Sequence, residues 1–234
     1  MTTSPRPAGR PRKAVLTADT IHRTALELID RDGADAFSLV RLAKELGVRM
    51  PSLYNHVRNR DDVVHAVREL IAAEIDSAAL ALSPWDTGLA DWARAYRAAF
   101  ARHPNAVRLL ATMPVRTPRV LDEYERVAVA LESGGWPTGH TLRIIAVLES
   151  FVLGSALDMV APEHMIDLAS DAARYPRLTA AFAAAATATG TGTGPGRPAE
   201  PRRADVAFEF GLRVLVNGLR DELAILTADP TEPG

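Results

Sequence analysis

The apolar positions of this 234-residue chain recur at helical spacing nearly from end to end, and no stretch sustains the strict alternation of a half-buried strand. Ile21, Ala25, Leu28 and Ile29 share one face between Thr17, a good N-cap, and Gly33, which predicts a helix over about 18–32. Leu39, Leu42, Ala43 and Leu46 then fall at i, i+3, i+4 and i+7 behind a second cap, Ser38, and Gly47 follows that face. Glycine takes the left-handed conformation that ends a helix without a Cβ penalty. A short third helix can open at Pro51, since proline fits the first helical position, with Leu53 and Val57 turned toward the helix before it. A fourth is expected from the cap Asn59 to about Leu80, carrying Val63, Val64, Val67, Leu70, Ile71 and Ile75, with Asp61 and Asp62 favoured by the helix dipole in its first turn.

Beyond the break at Ser83-Pro84 the pattern stays helical, over about 86–102, 104–112, 118–133, 138–160, 176–187 and 204–227. The helices over 138–160 and 204–227 are apolar on most faces, more than one layer of neighbours can cover. Arg143, Glu149 and Asp158 argue against a membrane span, so no membrane partner is expected. Two segments read as unstructured. Residues 1–14 place Arg10, Arg12 and Lys13 among prolines and glycine with no acid, as in a disordered basic arm, and residues 189–203 are a low-complexity flexible loop.

Charge singles out the second and third helices. Ser52, Tyr54, Asn55 and His56 give the third helix a polar outer face, Arg49, Arg58 and Arg60 flank it, and no acid lies between Gly47 and Arg60. A short helix of this kind, set by a glycine turn across another helix, suits a helix-turn-helix reader of DNA, with the arginines offered to phosphates. The net charge of −2 hides an asymmetry: 12 basic against 10 acidic side chains in residues 1–74, and 15 against 19 in residues 75–234. The nucleic-acid surface must therefore be a local patch. The arm fits a narrow minor groove through Arg10, Arg12 and Lys13, or serves only as a solvated tail that adds nonspecific affinity.

The segment LAKELGV followed by PSLYNHVRNRDDVVHAV resembles the TetR family of bacterial one-component repressors over roughly Val15 to Glu74. It is most similar to the tetracycline-repressor branch, whose recognition helix also reads Pro, Ser or Thr, Leu, Tyr, any residue, His, Val. The resemblance implies an all-α fold: a three-helix helix-turn-helix DNA-binding domain over 15–80 and a larger helical ligand-binding and dimerisation domain over 81–230. It implies that Ser38 caps its helix and reaches a phosphate, and that Met50, Pro51 and Ser52 meet base edges. Asn55 would pair with adenine or lie over the backbone, Tyr54 and His56 would anchor phosphates, and Arg49 and Arg60 would add charge. Met50 departs from the polar reader expected there, which leaves an apolar contact with a thymine methyl or none. The two apolar helices would pack on a two-fold mate as a four-helix bundle, with Gly154, Ser155, Gly211 and Gly218 permitting close approach, so the expected partners are a homodimer mate, an inverted-repeat operator and a small-molecule effector.

The effector site expected between the central helices draws on Trp92, Tyr96, Phe100, Met113, Trp136, Phe151 and Met159, with Arg108, Arg116 and Ser155 as polar anchors. Singly, each of these also fits an ordinary core. The tetracycline repressor holds a drug–magnesium chelate through a histidine. Leu109 stands near that place here and cannot ligate a hard cation, so an apolar or aromatic ligand without metal is expected, and no cofactor. Catalysis has no support. There is no cysteine, no pair among His22, His56, His65, His103, His140 and His164 with HxxxH or HExxH spacing, and no GxSxG, P-loop or strand-linked GxGxxG. The expected function is a ligand-responsive, cytoplasmic repressor. The alternatives are a helical protein-interaction module without DNA binding and, more remotely, an enzyme.

Overall fold

The computed structural model describes residues 16–82, 84–161, 171–188 and 202–228; the basic arm and the 189–201 part of the expected loop lie outside the described residues. Among the described residues there are eleven α-helices: α1 (Ala18–Asp32), α2 (Leu39–Glu45), α3 (Met50–Tyr54), α4 (Arg60–Ala72), α5 (Ala79–Leu82), α6 (Trp85–Ala101), α7 (Pro104–Leu110), α8 (Pro118–Ser133), α9 (Thr141–Asp158), α10 (Pro176–Ala188) and α11 (Arg203–Ala228). No strand interrupts them among the described residues.

The first four helices build the head by local rules. Thr17 accepts from the Thr20 N–H at 3.1 Å, Ser38 from the Arg41 N–H at 3.3 Å and Asn59 from the Asp62 N–H at 2.8 Å, so each cap removes one unpaired helical donor. Gly47 turns α2 into α3 at φ +64°, a conformation costly for any residue with a Cβ. Ile21, Ala25, Leu28, Ile29, Phe37, Leu42, Leu53, Val57, Val63 and Val67 close the core between these helices.

Two boundaries differ from the sequence pattern. The third helix stops at Tyr54, because the His56 N–H reaches back only to the Leu53 carbonyl, at 2.9 Å; Leu53 and Val57 are buried all the same. The fourth stops at Ala72, not near Leu80. Glu74 and Ile75 donate to the carbonyls of Ile71 and Ala72, three residues back, and Asp76 then takes the Ala78 N–H at 3.0 Å. Local bonding by a short polar side chain competes with helix propagation. The buried Ser77 hydroxyl is drawn sideways to Glu123 Oε1 on α8, at 3.3 Å.

The body is organised about α6, which packs against α4, α5, α7, α8, α9 and α11. One continuous apolar cluster runs through head and body, joined where α4 meets α6 and α8 and where α7 meets α1. The segment Thr138–Asp158 is long and apolar enough to cross a membrane, yet Ile144, Ile145, Leu148, Val152 and Ala156 are buried in this core and Glu149 accepts from two tyrosines. Gly211 serves contact within the chain: the ring of Phe151 lies against it, 2.6 Å from where a Cβ would stand, and stacks on Phe208 at 5.3 Å. Gly154 and Gly218, by contrast, face open space.

Candidate DNA-reading surface and effector cavity

On the head, α3 is presented by α2 through the Gly47 turn. Pro51, Ser52, Tyr54, Asn55 and His56 are all exposed, with Tyr54 53 % accessible although it is aromatic. Arg49 and Arg58 flank them in solvent. None of the side chains of Arg49, Ser52, Tyr54, Asn55 or His56 is committed to a hydrogen bond or ion pair within the described residues, which leaves five polar groups on one surface. Val40 on α2 adds an exposed apolar contact, 66 % accessible, that the sequence pattern did not single out. Two of the expected readers are placed differently. Met50 packs partly against the core, and Arg60 lies across the Phe37 ring at 5.5 Å with its Nε toward the Phe37 carbonyl at 3.5 Å. Ser38 Oγ is occupied as the α2 cap.

In the body, α4, α6, α8 and α9 line a partly open cavity of about 140 Å³. Of the expected ligand residues it gathers Trp92, Tyr96, Phe100 and Met113, and it adds Tyr124, Glu149 and Arg68. Trp92 and Tyr96 meet edge-on at 5.2 Å, and Tyr96 and Phe100 at 4.9 Å, which makes an aromatic wall along α6. Glu149 Oε1 accepts from Tyr96 Oη at 2.9 Å and also from Tyr124 Oη. Burial first, and then the Glu149 charge, raises the pKa of Tyr96; burial and the hydrogen bond to Glu149 do the same for Tyr124. Both phenols thus remain protonated donors at neutral pH. No histidine is among the described residues that line this cavity.

The other expected ligand residues lie elsewhere, each for a visible reason. Trp136 is buried edge-on against Trp85 at 5.6 Å, below the α8–α9 corner. Phe151 is taken up by Phe208 and Gly211. Ser155 accepts from Arg97 Nε at 2.8 Å, part of a clamp in which Arg97 also reaches Asp205 at 2.7 Å and the Ala204 carbonyl at 3.1 Å and lies over Phe208. Met159 caps the end of α9, where its carbonyl takes Arg202. Arg108 is exposed on α7, and Arg116 opens onto a shallow surface hollow beside His65 and Glu69. The cavity residues missed by sequence reading were legible in register: Arg68 follows Val64 by four on the buried stripe of α4, and Tyr124 precedes Val127 and Leu131 on that of α8.

Two contacts join cavity and head mechanically. Arg68 Nη2 donates to the carbonyls of Leu110 and Met113, the latter at 3.0 Å, so a residue of α4 caps the end of α7. At the other end of α7, His103 bonds Asp30 of α1 through Nδ1 at 2.7 Å and reaches Glu74, just past α4, through Nε2 at 3.4 Å. The Asp30 hydrogen bond raises the His103 pKa.

A helix-turn-helix head carried on a helical body with its own cavity is the architecture of a DNA-binding transcriptional regulator. Residues 21–67 match the bacterial regulatory proteins of the tetR family, and residues 81–223 match the tetracyclin repressor-like C-terminal domain. The chain belongs to the TetR family of transcriptional regulators, whose members are not enzymes. It is 29 % identical over 229 residues to the class E tetracycline repressor of Escherichia coli, covering 94 % of this chain and 99 % of that one. It is also similar to apo ActR of Streptomyces coelicolor (27 % identity, TM-score 0.71, 90 % and 98 % of the two chains). ActR in complex with actinorhodin is 26 % identical, with a TM-score of 0.65 over 90 % and 99 %.

Proposed function

We propose that the protein is a cytoplasmic repressor that binds an inverted-repeat operator as a homodimer and is released by an aromatic ligand held in the α4–α6–α8–α9 cavity without a metal ion. The observation that carries the reading is that one helix, α4, begins at the reading head and lines the cavity in its last turns, at Arg68 and Ala72. The ligand class is supported by the wall of Trp92, Tyr96, Phe100 and Tyr124 and by the likeness to a tetracycline repressor and to ActR in complex with actinorhodin. Binding without metal is supported by the lack of histidine among the described residues that line the cavity, with Leu109 packed on the core and unable to ligate a cation. The dimer is supported by the outer faces of α9 and α11. There Leu142, Val147 and Leu157 on one helix and Val206, Phe210, Val214 and Ile225 on the other are exposed large apolar groups. Open glycines at 154 and 218 leave room for a mate.

To weaken operator binding about a hundredfold, a ligand must favour the released state by about 2.7 kcal/mol, and operator must weaken ligand binding by the same factor. A gel shift with DNA from upstream of the protein's own reading frame, repeated with planar aromatic compounds and with EDTA, tests this. Retarded DNA released by an aromatic compound, with or without EDTA, supports the reading. Unretarded DNA, or release that requires a metal ion, contradicts it.

A further inference from the structure

Arg68 is 5 % exposed, and no carboxylate lies within ion-pair distance of it among the described residues. Its Nη2 is spent on two carbonyls of the α7 end, while Nη1, buried on this cavity-lining side chain, has no partner. A buried guanidinium without a counter-charge is costly, and an unmade bond at its free N–H adds to the cost. Among the described residues that line the cavity, the other buried side-chain donor without a partner is the Trp92 indole N–H. The two carboxylates that line the cavity are engaged. Glu149 Oε1 holds both tyrosine hydroxyls, and Glu123 Oε1 takes Ser77 and Arg126 Nη1, leaving Glu123 Oε2 an acceptor without a donor. The tyrosine protons already point to Glu149, so the N–H groups left for a ligand belong to Arg68 and Trp92.

We infer that the effector is an aromatic acid, whose anionic oxygen takes Arg68 Nη1 while its ring lies along Trp92, Tyr96 and Phe100. The anion supplies a counter-charge at ion-pair distance, which neither Glu123 nor Glu149 gives Arg68, and a planar carboxylate matches the guanidinium fork. Because Arg68 belongs to α4 and also caps α7, an oxygen drawn to it acts on the helix that carries the head. This rests on the reading of the cavity as the effector site, and it adds the charge that the effector must bear.

The test uses 2-naphthoate and 2-naphthamide, which share shape and differ in charge, titrated calorimetrically into the full chain. The parent is expected to bind the acid at least about tenfold tighter than the amide, the scale of one hydrogen bond to a charged group. Arg68→Met keeps the apolar stem and should remove that preference; Arg68→Lys should keep part of it. Equal affinities in the parent, or a preference that survives Arg68→Met, overturn the inference and leave the cavity reading standing. Should Arg68→Met lose the amide as well, the lysine variant decides: a retained preference supports the role of the charge, and a lost one refutes it. Leu153→Trp, which fills the cavity, should abolish both. Binding that survives it, or no binding of either probe to the parent, overturns the cavity reading itself and the inference with it.

Discussion

Phe210 on α11 gives the sharpest prediction about assembly. In the single chain this residue is 60 % exposed, with Arg213 lying over its ring at 5.3 Å, so truncation costs the monomer fold little. Fully burying a phenylalanine is worth about 1.5–3 kcal/mol, and the exposed three-fifths accounts for about 1–2 kcal/mol of that. An isologous interface contains every residue twice, so Phe210→Ala should weaken the dimer by about 2–4 kcal/mol, a rise in Kd of about thirty- to nine-hundred-fold. Light scattering across a dilution series reads this directly. Operator affinity should fall at concentrations where the variant dissociates and recover at higher protein concentration. A parent and variant with the same dissociation constant would show that this face of α11 is not the interface. A parent that is monomeric throughout would remove the dimer altogether.

Three further outcomes are expected. On the head, Asn55→Ala should cost about 1–3 kcal/mol of discrimination at one base step, whereas Arg58→Ala should weaken every sequence alike and flatten the salt slope by about one unit, as binding measured across salt on matched and randomised DNA will show. At the turn, Gly47→Ala should destabilise the chain by about 1–2 kcal/mol in urea unfolding, because φ +64° is strained for alanine. At the hinge, the raised His103 pKa means that the folded state holds the proton more tightly than the unfolded one. The stabilisation from Asp30 and Glu74 is therefore complete below the ordinary histidine value of 6.5 and lost as pH rises through the raised value. His103→Asn should lower the urea midpoint at pH 6 and converge on the parent at higher pH; a constant gap would refute the linkage.

Where structure follows from neighbours in sequence, it could be read in advance. Thr17, Ser38 and Asn59 start their helices as caps, and Pro118 and Gly134 bracket α8. The end of α4 could not be read so, because Asp76 and Ser77 bond locally and to α8 in a stretch whose apolar pattern continues. The cavity divides in the same way. Trp92, Tyr96 and Phe100 share one face of α6 and arrive together, while Trp136 and Phe151 are claimed by Trp85 and Phe208, partners remote in sequence. Arg68 was missed, since in the sequence it is only one charge in a buried register. That its partners are carbonyls at the end of α7 is a long-range fact, and it makes the residue a candidate for sensing a ligand.

The most direct test of the whole account is selection of bound sequences from random duplex DNA by the full chain. An all-helical dimer with one α3 per subunit should enrich an inverted repeat whose half-sites lie about one helical turn apart or somewhat more. Enrichment of a single unpaired half-site, or no enrichment over input, would contradict it.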